Sequence, residues 1–136
     1  MKISVQRLAW WLALGAGAAD FCSGLGLALV PANVLPLMGV PVPGAEALLW
    51  LRWVGSFVWA VGASYLLGLL LGGEARLRTL LELTIPFRFS AAVFSTVAIA
   101  GGWLSLGWVS VPTVDFALVA AQVWLLRRWS QIPSCG

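Results

Sequence analysis

Asp20, Arg52, Arg88 and Asp115 each interrupt a long apolar run. A charge at the centre of a bilayer costs at least about 2.5–3.5 kcal/mol, so a charged residue held there marks a functional site or a structural pairing. Two chemistries are open to such a set. Paired, the charges set the register of neighbouring helices; left accessible, they hold a proton, a lipid headgroup or the polar end of a ligand. No other constellation competes with them. The chain has no His, which removes imidazole bases, His metal ligands and Ser–His triads. No Gly-rich turn leads into Lys and Ser/Thr, no carboxylates stand at catalytic spacing, and no nucleophile has a base beside it. Catalytic residues, cofactor and metal are all expected to be none. Cys22 and Cys135 lie at different depths, one within a span and one in the tail, and are expected to stay unpaired.

The elements that position these charges follow from composition. Of 136 residues, 61% are hydrophobic and 10% charged, with a mean hydropathy of +0.97. A soluble domain is about 45–50% apolar and about 25% charged. This excludes a water-soluble globular enzyme and predicts one all-α integral membrane domain over 1–136. A spanning helix needs about 20 mostly apolar residues. Four such spans are predicted, at about 8–30, 46–71, 79–103 and 110–127. The strict alternation of a barrel strand is not seen. The 31–45 connection, with Pro36, Gly39, Pro41, Pro43 and Gly44, reads as a loop. The apolar run after Lys2 and Arg7 continues to Val30, beyond the roughly 7–15 residues of a leader core, so a retained span is expected.

Orientation follows from basic residues. Lys2, Arg7, Arg76, Arg78, Arg127 and Arg128 share one side of a four-span chain, while the two opposite connections hold no Lys or Arg. The positive-inside bias then predicts both termini in the cytoplasm, in a bacterial inner membrane. Trp10, Trp11, Trp124 and Trp129 fall near that boundary; Trp50, Trp53, Trp103 and Trp108 fall near the other, as interfacial indoles should. Trp59 lies near mid-membrane. The net charge of +3 is mostly topological, and no nucleic-acid partner is expected.

Depth decides which charges could meet. At about 1.5 Å per residue, Asp20 lies about 18 Å and Arg88 about 14 Å from the cytoplasmic boundary. Arg52 lies about 9 Å, and Asp115 about 7–8 Å, below the outer one. The expected pairs are Asp20 with Arg88 and Asp115 with Arg52; Asp20–Arg52, or one network of all four, also stays open. The helical neighbours are small or polar: Ala16, Gly17, Ser23 and Gly24 around Asp20; Gly55, Ser56, Gly62 and Ala63 around Arg52; Thr84, Ala91, Ala92 and Ser95 around Arg88. Gln122 shares the face of Asp115. Small residues mark helix–helix contacts in membranes, so all four charges are expected inside the bundle, with Gln122, Trp59, Ser56 and Thr84 as candidate ligand-lining residues. Pro86 should kink span three and free the carbonyl of Glu82. Glu74, four residues before Arg78, is placed for a surface pair, and Tyr65 is expected to pack with its hydroxyl toward the inner boundary.

The arrangement of a Pro-terminated first span, Arg52-Trp53-Val54-Gly55 and Gly62-Ala63-Ser64-Tyr65 in the second, Arg88 in the third and Asp115 opening the fourth resembles the DoxX-like small bacterial membrane proteins. The resemblance covers about 8–128. It implies a four-helix bundle and an association with membrane redox or quinone chemistry, and carries over no catalytic residues. The expected function is that of a non-enzymatic inner-membrane protein, a small accessory or structural subunit of a larger membrane assembly, such as a respiratory or redox one. Its partners would be lipid and other membrane subunits or further copies of itself. The alternative is a binder of a quinone, isoprenoid or lipid through the charged interior; a proton or ion pathway ranks third.

Overall fold

The computed structural model describes residues 4–131. Its elements are α1 (Val5–Leu29), α2 (Pro31–Leu37), α3 (Ala45–Leu71), α4 (Glu74–Ala100), a 3-10 turn (Leu106–Val109) and α5 (Ser110–Ser130). Four of these helical stretches are long and apolar enough to cross a membrane. A 27-residue helix such as α3 or α4 runs about 40 Å, which exceeds a hydrocarbon core of about 30 Å.

Helix ends explain where the structure departs from expectation. α4 starts at Glu74 rather than near 79, because Gly72 and Gly73, at φ +70° and +95°, reverse the chain in two residues. That backbone is open to glycine and strained for other residues. Arg78 then pairs forward with Glu82 at 2.9 Å, not back with Glu74, which sits in the first turn of α4 where a carboxylate suits the helix dipole. The 31–45 connection is not all loop. Pro31 occupies the first position of α2, where its missing N–H costs nothing, and α2 buries Leu35 against Leu27 and Val40. α4 passes through Pro86 as one helix.

α1 and α3 pack antiparallel over most of their length, and α4 packs with α5; the two pairs meet more sparsely. The α1–α3 seam is made of glycines seven residues apart, Gly17 and Gly24 facing Gly62 and Gly55. A methyl group at Gly24 would lie 2.7 Å from the Cα of Trp59 and 2.8 Å from the carbonyl oxygen of Gly55. Such backbone-to-backbone approach is how membrane helices gain dispersion contacts that lipid cannot offer.

Between the pairs, Ala9, Ala13, Ala16, Tyr65, Leu77, Leu81, Leu125 and Trp129 form one buried apolar cluster. It gathers the start of α1, the start of α4 and the end of α5. The start of α1, the end of α5 and the α3–α4 turn therefore share one face, the terminal side, with α2 and the 3-10 turn on the opposite loop side. Trp129, expected at the lipid boundary, packs into this cluster, and Cys22 is exposed and free. Cys135 and Lys2 lie outside the described residues.

Candidate functional site

The buried positions of α4 are Leu77, Leu81, Thr84, Arg88, Ala92, Ser95 and Ala98. Their three- and four-residue spacing is one helix face, so the rotation that buries Leu81 also turns Arg88 inward. Its guanidinium reaches across both pairs of helices. Nη1 donates to Asp115 Oδ1 of α5 at 2.9 Å, and Nη2 donates to Asp20 Oδ2 of α1. Only 5% of the Arg88 side chain is exposed, against 18% for Asp20 and 15% for Asp115. Charge-assisted bonds of this kind are about twice as strong as neutral ones. The expected Asp20–Arg88 contact is present, but Asp115 pairs with Arg88 rather than with Arg52.

One turn toward the terminal side lies a second polar layer. Tyr65, expected to pack with its hydroxyl toward the inner boundary, is fully buried, as is Gln122. The hydroxyl lies 2.6 Å from Thr84 Oγ1, and Gln122 Nε2 donates to Tyr65 Oη at 2.5 Å and to Thr84 Oγ1 at 2.9 Å. Thr84 donates its own proton to the Leu80 carbonyl at 2.8 Å, so Tyr65 must be the donor to Thr84. All four hydrogens of the three side chains are then used. Turning the amide round would bury two unsatisfied donors instead. The Arg88 guanidinium stands 5.6 Å from the Tyr65 ring centroid, within cation–π range, and so joins the two layers. The hydrogen-bonded chain ends at Leu80; beyond it lies the packed apolar cluster.

The bonds of Arg88 to Asp20 and of Tyr65 to Thr84 and Gln122 run between the helix pairs, while those of Arg88 to Asp115 and Gln122 to Thr84 join α4 to α5. Asp20 and Tyr65 stand on α1 and α3; Thr84, Arg88, Asp115 and Gln122 stand on α4 and α5. Tyr65→Phe is expected to lower stability by about 1–3 kcal/mol, because it strands a buried Gln122 donor. Tyr65→Phe combined with Gln122→Leu should recover part of that loss. Equilibrium unfolding in mixed detergent micelles measures both.

Arg52 does something else. Among the described residues it forms no ion pair, and it is exposed. Its Nη1 donates to the carbonyls of Ala28 at 3.1 Å and Leu29 at 2.8 Å. The reason lies in α1, whose last carbonyls have no intrahelical donors, since the chain turns into α2 at Pro31, a residue without an N–H. Antiparallel packing places Arg52 beside them, and a cation there complements the helix dipole. The expectation that all four charges turn inward thus fails at Arg52. Ser56 and Trp59, proposed to line an interior site, are also exposed, and Ser56 donates to the carbonyl of Arg52 at 3.0 Å. Gln122 and Thr84 do face the interior but bond each other.

The sequence reading packed Tyr65 but did not bring its hydroxyl to Thr84 and Gln122. A signal for its burial was available, since Tyr65 continues the buried face of Gly55 and Gly62. Comparison with protein-family models, with curated proteins and with solved structures gives no match for this chain.

Proposed function

We propose that this four-span membrane protein is a small non-enzymatic subunit that joins a larger assembly within the bilayer. One observation carries the reading: the interior polar side chains are engaged mainly with one another, and of their buried atoms only Arg88 Nε and Gln122 Oε1 lack a partner among the described residues. Arg88 holds both aspartates, and Tyr65, Thr84 and Gln122 close on themselves. These are the groups a quinone or isoprenoid head would need, and they instead tie one helix pair to the other. A proton pathway is disfavoured by the apolar cluster packed on the terminal side of the network. What remains to act on other molecules is the outer surface, which is apolar and exposed at residues such as Leu70, Phe87, Phe94 and Leu106.

The same reading places the terminal side in the cytoplasm of a bacterial inner membrane, supported by the basic residues gathered there. The DoxX-like resemblance is consistent with a partner in membrane redox chemistry. Native mass spectrometry of protein released gently from its own membrane tests the proposal. The expected result is a complex with another membrane polypeptide or a second copy of the chain. A monomer carrying a stoichiometric quinone or isoprenoid would overturn it.

A further inference from the structure

Arg52 is only half engaged. A guanidinium has five N–H groups, and the bonds to Ala28 and Leu29 come from Nη1 alone, which leaves the three on Nε and Nη2. Glu46, the acid nearest that end of α3, forms no ion pair with it among the described residues. The side chain lies in a surface groove of about 390 Å³ lined by Leu49, Trp50, Arg52, Trp53 and Ser56. The groove has a firm wall, because the rings of Trp50 and Trp53 meet edge to face at 5.8 Å and those of Trp53 and Phe57 at 5.0 Å.

Depth identifies what such a cation meets. α3 exceeds the hydrocarbon core by about 10 Å, or about 5 Å at each end when centred, and Arg52 lies about 10 Å along it. Its Cα is then about 5 Å below the hydrocarbon edge. Its head lies against the carbonyls at the loop-side end of α1, and a long arginine stem lets the free N–H groups reach toward the headgroups. Trp50 and Trp53 occupy the interfacial position indoles favour.

We propose that this groove binds the phosphate of an anionic phospholipid in the loop-side leaflet. Nε and Nη2 present the planar fork that phosphate oxygens accept, while the aromatic wall lies against an acyl chain. No acid pairs with Arg52 in the groove to receive a headgroup amine, so phosphatidylglycerol is favoured over a zwitterionic lipid. The site is independent of the accessory-subunit reading: it concerns the lipid-facing side of α3 whether or not a partner exists.

The test is a native mass spectrometry titration of the purified full chain with phosphatidylglycerol and, separately, phosphatidylcholine. Arg52→Gln removes the cation but also uncaps α1. Leu49→Glu leaves the cap in place and sets a carboxylate three residues before Arg52, on the exposed groove wall, to compete for the free N–H groups. Both variants should weaken the tightest phosphatidylglycerol site about tenfold, as expected for losing one charge-assisted contact. The double variant Arg127→Gln/Arg128→Gln, altered on the terminal side, should keep it. If Arg52→Gln does not fold, Leu49→Glu decides alone. Folded Leu49→Glu protein that binds like the parent overturns the proposal, as does equal affinity for phosphatidylcholine or a loss that follows Arg127 and Arg128.

Discussion

Arg88→Gln should be the most damaging single charge change in the chain, with a loss of at least about 3–5 kcal/mol, the range for breaking a buried ion pair from one side. The arginine stands between two carboxylates, and its removal strands both. The acids are not equivalent to it. Asp20→Asn leaves Arg88 with Asp115, and Asp115→Asn leaves it with Asp20; each single variant keeps a neutral pair and should be mild. Asp20→Asn/Asp115→Asn strands the guanidinium and should be nearly as poor as Arg88→Gln. Asp20→Asn/Arg88→Gln still leaves Asp115 alone and should recover little. The triple neutral variant should recover most of the folded yield. Yield of monodisperse protein and micelle unfolding read the series, and an Asp20→Asn variant as poor as Arg88→Gln would show that Arg88 does not bridge the two acids.

The glycine seam gives the second large effect. A methyl group at Gly62 would lie 2.7 Å from the Cα of Phe21, and one at Gly55 would lie 2.8 Å from the carbonyl oxygen of Gly24. Backbone atoms cannot swing aside as a flexible side chain can, so the helices must part. Gly24→Ala and Gly62→Ala should each cost about 1–3 kcal/mol, the usual overpacking penalty. Gly24→Leu should prevent α1 and α3 from pairing at all. Gly15→Ala on the same helix is the control: nothing lies within 4 Å of its added carbon, and helix propensity favours it by up to about 1 kcal/mol. Comparable losses at Gly15 and Gly24 in the same unfolding assay would mean the seam is not in close contact.

The spans were legible because hydropathy runs along one coordinate, the chain, and because an acid in an apolar run stands out. Depth is also one coordinate, and it correctly set Asp20 level with Arg88. For Asp115 and Arg52 the depth count itself failed. Arg88 holds Asp115 beside Asp20, whereas Arg52 meets Ala28 and Leu29, about 12–14 Å farther along α1. The fourth spanning stretch begins at Leu106, so a count from Ser110 set Asp115 too near the outer edge. The carbonyls that take Arg52 instead carry no sequence signature, since every residue has one; only Pro31 hinted that the end of α1 would need a donor. Prolines in the 31–45 stretch were read as breakers, although a proline at the first position opens a helix. Tyr65 was expected to pack with its hydroxyl toward the inner boundary; the hydroxyl meets Thr84 and Gln122, partners on two other helices that no spacing along the chain announces.

The two helix pairs also set an order of events during synthesis. Asp20 and Arg88 are 68 residues apart, and at about 5–20 residues per second the arginine is made roughly 3–14 s after the aspartate. Late in that interval, once α3 is complete at Leu71, α1 and α3 can close along their glycines, which need nothing from the rest of the chain. Asp20 then waits in lipid without its countercharge, and the half-made protein is well packed yet electrically incomplete. Arrival of α4 supplies the guanidinium and α5 the second carboxylate, so the late half of the chain discharges a debt left by the early half. A ribosome that stalls before Arg88 leaves a hairpin with an uncompensated acid in the bilayer.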